Sequence, residues 1–291
     1  MSALRRCLRS PRVVAGALLV LAVALAAVLA PWIAPHDPQE QDLLNTLLPP
    51  AWAAGGEAAY PLGTDQLGRC ILSRLLFGAR IALYVAVLAA TGAMLLGTTL
   101  ALLAGTLGGR TDMLVCRAID VWMAFPPVIL ALILLVGLGA GVHKVILAII
   151  VVDWTRFCRI IRSEVLVVVR RDYVPAARLL GFGRMRVLWR EVLPAVLPLV
   201  ITVMALEMGI AVVVEAIMSF VGLSVEPDVP AWGVMIADAR QSMFLMPWGV
   251  VFPVLGIFVA VLGFNLLGDG LRRALDNRLV LSREVVRAPG A

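Results

Sequence analysis

Tyr173-Val174-Pro175-Ala176-Ala177-Arg178-Leu179-Leu180-Gly181, followed by Glu191-Val192-Leu193-Pro194, stands in a polar, arginine-rich interval between two long apolar runs. Such an interval reads as a connection between membrane-spanning helices, exposed where the chain leaves the bilayer. Val145–Val169 precedes it and Leu197–Val221 follows. Beyond these lie Val13–Ile33, Ile81–Leu107, Met113–Leu138 and Trp248–Leu267, making six apolar stretches in all. Each is near the roughly 20 residues that a helix needs to cross the hydrocarbon core.

Composition agrees. Of 291 residues, 62% are hydrophobic and 15% charged, where soluble proteins carry about 25% charged residues. The mean hydropathy is +0.98. The expected fold is therefore an all-α polytopic membrane protein with six transmembrane helices, leaving little chain for a soluble domain. The fourth stretch is the weakest, because Asp153, Arg156, Arg159, Arg162 and Glu164 interrupt it. Only neighbouring helices or water could satisfy charges there. The first stretch follows Arg5, Arg6, Arg9 and Arg12 as a signal peptide would, but it is long and ends in Pro31-Trp32-Ile33-Ala34-Pro35, which is not a small-residue cleavage site. It reads as a retained span.

Arginine placement sets the orientation, since cytoplasmic loops carry the excess of Lys and Arg. With the N-terminus inside, six spans put Arg5–Arg12, Arg110 and Arg117, the cluster Arg170 to Arg190, and Arg272 to Arg287 on the cytoplasmic side. The outside then holds Asp37, Glu40, Asp42, Glu57, Asp65, Glu226, Asp228 and Asp238 against Arg69, Arg74, Arg80, Lys144 and Arg240. The net charge of +6 thus reports cytoplasmic loops beside an anionic leaflet and argues against nucleic acid as a partner. The chain divides into 1–79 (tail, first helix and extracytoplasmic segment), a five-helix core 80–270, and a cytoplasmic tail 271–291.

The inventory of reactive groups is short. Lys144 is the only lysine and follows His143, so no phosphate-cradling G-x-x-x-x-G-K-[ST] loop exists. No serine sits in G-x-S-x-G. His36 and His143 lack metal-ligand spacing and read as solvated interfacial side chains. Cys7, Cys70, Cys116 and Cys158 are scattered, with only Cys70 outside, and imply no disulfide framework. The chain reads as non-catalytic, without metal or cofactor.

Within the opening interval, Asp172 suits an N-cap, Pro175 falls in a first turn, and Gly181 suits a left-handed stop. Val174, Ala177 and Leu180 recur every three residues with Ala176 beside them, a small apolar face framed by Arg178, Arg184 and Arg186. From the residues alone, a docking helix for a cytoplasmic partner and a helix lying on the lipid headgroups fit equally. Asp153, Glu207 and Glu215 lie within spans. Pairing at a helix or subunit interface is favoured for them over contact with a solute. Pro126-Pro127 reads as a kink first and a gating hinge second.

Ala176-Ala177-x3-Gly181 with Leu193-Pro194 resembles the E-A-A-x3-G-x9-I-x-L-P signature of binding-protein-dependent ABC importer permeases. Three further blocks are similar to the dipeptide/oligopeptide/nickel branch, and to its second permease subunit. These are Gly63-Thr-Asp-Gln-Leu-Gly-Arg69 with Ser73-Arg74 and Gly78-Ala-Arg80; Glu215-Ala-Ile-Met-Ser-Phe-Val-Gly-Leu223 with Pro230-Ala-Trp-Gly233; and Phe264-Asn-Leu-Leu-Gly-Asp-Gly-Leu271. Pro175 replaces the signature's glutamate and so removes a capping box; Glu191 stands at its isoleucine, and Cys70 where the branch has aspartate.

The resemblance implies a type I ABC importer permease fold, with a coupling helix at about 172–181 seated in a cleft of the ATPase. Asp172, Tyr173, Pro175, Ala176, Ala177, Leu180, Gly181 and Pro194 would form that docking element. It further implies a heterodimer with a second permease, two cytoplasmic ATPases that bind ATP and Mg, and an extracytoplasmic solute-binding protein facing Pro35–Gly78 and Ser224–Met246. The solute would be a peptide, with nickel or another small solute as the alternative. A rival of another class is a secondary transporter using Asp153, Glu207 and Glu215 as an ion relay. The implied location is the cell inner membrane, with both termini cytoplasmic.

Overall fold

The computed structural model describes residues 10–226 and 228–275. Arg5, Arg6, Cys7, Arg9, Arg278, Arg283 and Arg287 lie outside those residues. Among the described residues the chain is helical, and the only β pairing is an isolated bridge between Thr64 and Cys70. The helices are α1 (Pro11–Ile33), α2 (Ile71–Leu107), α3 (Gly109–Met123), α4 (Pro127–Leu138), α5 (Val142–Val169), α6 (Tyr173–Leu179), α7 (Arg184–Val187), α8 (Leu193–Phe220), α9 (Trp232–Ala239) and α10 (Trp248–Leu275).

Four helical stretches are long and apolar enough to cross a membrane: α1, α2, Arg184–Phe220 and α10. The bent pair α3 and α4 makes a fifth if it is one span. Its two halves meet at 85°, because Pro126 and Pro127 cannot continue the ladder and Ala124–Pro126 opens between them. The proline pair therefore ends one helix and starts another. The charged fourth stretch does form a continuous helix of 28 residues, α5, but its polar residues keep it below the apolar threshold that the other four meet.

The second span also departs from its apolar boundary. It begins at Ile71, so Ser73, Arg74, Gly78 and Arg80 lie inside a 37-residue helix and not in a preceding loop. At about 1.5 Å per residue this helix is far longer than the hydrocarbon core is thick. Its polar first turns are carried because Arg74 is neutralised by acids from other segments.

Close backbone approach sets the packing. A Cβ on Gly16 would lie 2.4 Å from the Leu267 amide nitrogen, and one on Gly270 2.6 Å from Val13, so α1 and α10 run antiparallel in contact. On α2, Gly92 meets Ile150, Gly97 meets Trp154 and Phe157, and Gly105 meets Val165 of α5. The matching order makes these two helices parallel. Small residues at such crossings supply the close packing that association in lipid depends on. Helix α3 runs antiparallel to α5, joined by Arg162 to Asp112 at 2.5 and 2.6 Å and by the Trp122 indole donating to the Val151 carbonyl at 2.6 Å.

Residues 34–70, the α4–α5 turn and the α8–α10 connection therefore gather at one end. The α5–α8 connection lies at the other. His36 stacks on Tyr60 with ring centroids 4.6 Å apart, so it is a packed side chain of the first end and not a solvated one. The Asn45 amide, and after it the Tyr60 hydroxyl, hold the Asp42 carboxyl below the usual carboxylate range.

Candidate functional site

At the second end, α6 is a short helix packed against α5 and α7. Asp172 occupies its N-cap position but makes no side-chain cap, correcting the expectation from sequence. Its backbone is already helical (φ −51°, ψ −34°), where a capping side chain needs an extended residue. The N3 position is Pro175, which has no N–H to donate to a capping side chain. The far end closes as expected: Gly181 has φ +86°, the Gly181 amide donates to the Arg178 carbonyl at 3.0 Å, and the Phe182 amide donates to the Ala177 carbonyl at 3.2 Å. These two bonds form a Schellman stop.

The predicted apolar face is divided. Val174 and Ala177 are buried against Val165, Val168, Val187 and Leu188, whereas Leu180 is 76% exposed and Leu179 89%. Tyr173, Pro175, Ala176 and Arg178 are also exposed. A three-residue spacing drifts about 60° per step around a helix, so Leu180 cannot share the inward face of Val174. The outward surface is Tyr173, Ala176, Leu179 and Leu180, beside Arg178 and the Arg186 guanidinium over the Phe182 ring at 4.6 Å.

Beyond α7, Leu188–Val192 is a π-helical turn leading into α8. Pro194 accounts for it: the proline ring clashes with the carbonyl four residues back, at Arg190, and its missing N–H removes a bond of the α ladder. Pro194 thus shapes the entry to α8, with Val192 buried and Glu191 half-buried.

The intramembrane carboxylates are kept apart. Glu207 accepts from Arg156 Nη1 at 3.1 and 3.2 Å, joining α8 to α5. Arg156 therefore bonds across helices, and not with Asp153 one turn away. Glu215, 1% exposed, accepts from the Ser219 hydroxyl and, at 3.2 Å, from the Ser224 hydroxyl. The Ser224 carbonyl in turn accepts the Gly141 amide at 2.9 Å, so Glu215 ties the end of α8 to the start of α5. Among the described residues no group of three His, Cys, Asp or Glu is placed to hold a metal.

At the first end, a closed ring of charges links segments far apart in sequence. Arg69 donates to Asp65 at 2.7 Å and to Asp238 at 2.9 Å. Arg74, 2% exposed, donates to the same Asp65 carboxylate and to Asp238 at 3.2 Å. Gln66 adds bonds to the Asp238 carbonyl at 3.1 Å and the Ser242 hydroxyl at 3.0 Å. Arg69 and Arg74, two of the arginines that run against the expected charge asymmetry, are thereby neutralised locally.

Residues 97–281 match the family described as binding-protein-dependent transport system inner membrane component. The chain belongs to this family. Residues 1–50 of the permease also match the N-terminal transmembrane domain of oligopeptide transport permease C. It is 40% identical to the di/tripeptide transport system permease protein DppC of Pseudomonas aeruginosa (strain UCBPP-PA14), over 91% of this chain and 87% of the relative. It is 40% identical to the dipeptide transport system permease protein DppC of Escherichia coli (strain K12), over 93% and 90%. A glutathione transport system permease protein, GsiD of Pectobacterium atrosepticum, is 37% identical over 94% and 90%. The permease is thus a multi-pass inner-membrane component of a transport system.

Two of the sequence blocks meet in space at the first end of the permease. The Trp232 indole donates to the Leu75 carbonyl at 3.0 Å and lies where a Cβ on Gly78 would be, 2.7 Å away. A Cβ on Gly233 would fall 2.1 Å from the Ala216 carbonyl. Pro230–Gly233 is therefore a wedge between α2 and α8. The fourth block, Phe264–Leu271, packs α10 on α1 and α8 through Gly268 and Gly270. The sequence alone does not reveal this structural pairing, although Asp65, Arg69 and Arg74 form a charge cluster beside a span.

Proposed function

We propose that the chain is one of two permease subunits forming the translocation path of an ATP-driven importer for di- and oligopeptides. The named relatives support the solute class, glutathione being itself a modified tripeptide. In this reading six helical passes cross the membrane, α5 and the α3–α4 pair among them, with both termini cytoplasmic. Two ATPase subunits bind ATP and Mg on the cytoplasmic side, and a solute-binding protein delivers peptide to residues 35–70 and 224–246. The division into 1–79, 80–270 and 271–291 follows the same plan.

The observation that carries the coupling role is α6: a Schellman-capped helix, anchored from below by Val174 and Ala177, that leaves Leu179 and Leu180 bare. An anchored helix transmits a push to α5 and α8, as a helix floating on headgroups would not. Closure of the ATPases on ATP moves Tyr173–Gly181, and the attached helices turn the central path outward and then inward.

Leu180→Asp in the complete importer should release the ATPase subunits in a gentle-detergent pull-down while the two permeases stay together. Retained ATPases with undiminished peptide uptake would overturn the docking assignment. Uptake by vesicles holding the permeases without ATPase would overturn the ABC mechanism.

A further inference from the structure

Three ionisable groups meet near the middle of α5 and α8, where transporter solute sites tend to lie. Asp153 and Arg156 are on α5 and Glu207 is on α8, each close to the centre of a 28-residue helix. Arg156 and Glu207 satisfy one another. Asp153 does not share in that pair: it is 6% exposed, and among the described residues its carboxylate has no hydrogen bond and no ion pair. As ionised groups the three carry one positive and two negative charges.

A carboxylate so placed cannot be facing lipid, where an unpaired charge is costly. Nor is it sealed in. The enclosed polar atoms without a partner are His36 Nδ1, Thr98 Oγ1 and Trp248 Nε1 among the described residues, and the Asp153 oxygens are not of that kind. They keep a little accessible surface, and the Arg156 side chain one turn further along α5 is 35% exposed. A buried carboxylate without a hydrogen bond, whose nearest cation is already committed to Glu207, can accept from a primary ammonium group.

We infer that Asp153 lines the translocation path and receives the amino-terminal ammonium of the passing peptide, with the Arg156–Glu207 pair holding α5 and α8 at the spacing that keeps the carboxylate open. This rests on the peptide-importer reading. Contact with Asp153 is made after the binding protein has released its peptide. A change there should therefore lower the maximal rate of uptake and leave half-saturation where the binding protein sets it.

The test uses the complete importer with its binding protein and radiolabelled dialanine as the probe. Asp153→Asn should cut the maximal uptake rate about tenfold, the scale of one lost charge-assisted hydrogen bond, with half-saturation and recovery of the ATPase subunits unchanged. Asp153→Glu should restore much of the rate. Separately, Asp153→Cys, in a chain whose four native cysteines are replaced by alanine, should react with a water-soluble methanethiosulfonate and be protected by excess dialanine.

An unreactive cysteine would mean that position 153 is closed to water in the assembled importer, and would overturn the inference. So would reaction without protection, or an unaltered rate in Asp153→Asn. If the unmodified importer moves neither dialanine nor any other di- or tripeptide, the peptide reading itself falls and this inference falls with it.

Discussion

Arg74 shows how a residue can look misplaced and be indispensable. It stands on the side proposed to be extracytoplasmic, against the charge asymmetry, yet it is the most deeply buried cation described, held by Asp65 and Asp238. Removing one partner of a buried ion pair costs about 3–5 kcal/mol, because the partner stays charged and buried. The half-open Asp238 side chain lowers that figure for its share of the ring. Arg74→Leu should accordingly lower the thermal unfolding midpoint of the detergent-solubilised protein by several degrees; an unchanged midpoint would mean that the ring is decorative. The residues of this ring were readable in sequence, since Gly63–Arg69 and Ser73-Arg74 form a conspicuous block. Their partner was not, because Asp238 lies well over a hundred residues away and no local pattern encodes that pairing. Asp172 failed in the other direction: its type fits a cap, but the backbone angles that decide capping are set by the tertiary clamp on α6.

At the scale of elements, apolar run length located α1, α5, α8 and α10 well and misjudged α2. A run-length reading stops at the first charge, whereas a helix stops only where its ladder does. Hence such a reading leaves residues 71–79 in the extracytoplasmic segment before the helix. The helix α6 was legible from both ends, through Pro175 and Gly181, but its inward face was not, since three-residue periodicity drifts around the axis. Gly181 allows a sharper statement. Nothing lies within 4 Å of the Cβ that a side chain there would add, so only its left-handed backbone resists substitution. Gly181→Asn should behave almost as the parent, because Asn tolerates this conformation. Gly181→Val should cost roughly 1–2 kcal/mol, fray the last turn of α6 and weaken recovery of the ATPases in a pull-down. Equal recovery with both variants would show that the Schellman stop is dispensable for docking.

For the whole molecule, chain order puts residues 34–70, 139–141 and 221–247 at one end and 170–192 at the other. On the proposed orientation, a single cysteine at exposed Glu57 should be labelled by a membrane-impermeant maleimide on intact spheroplasts. One at exposed Arg178 should be labelled only after permeabilisation. The reverse pattern would invert the molecule and remove α6 from the reach of any ATPase.

The π turn at Leu188–Val192 bears on how such a chain tolerates change in length. A wide turn holds slack that an α-helical turn lacks, so losing a single amino acid there can tighten the coil without tearing it. Such a loss would turn the wide turn into an ordinary α turn and leave the α6 side close to its present phase, whereas the same loss further along α8 would swing that side by about 100° about the helix axis. Pro194, which holds the turn open, thus marks the one place before α8 where the chain can change by a residue without re-aiming Leu179 and Leu180.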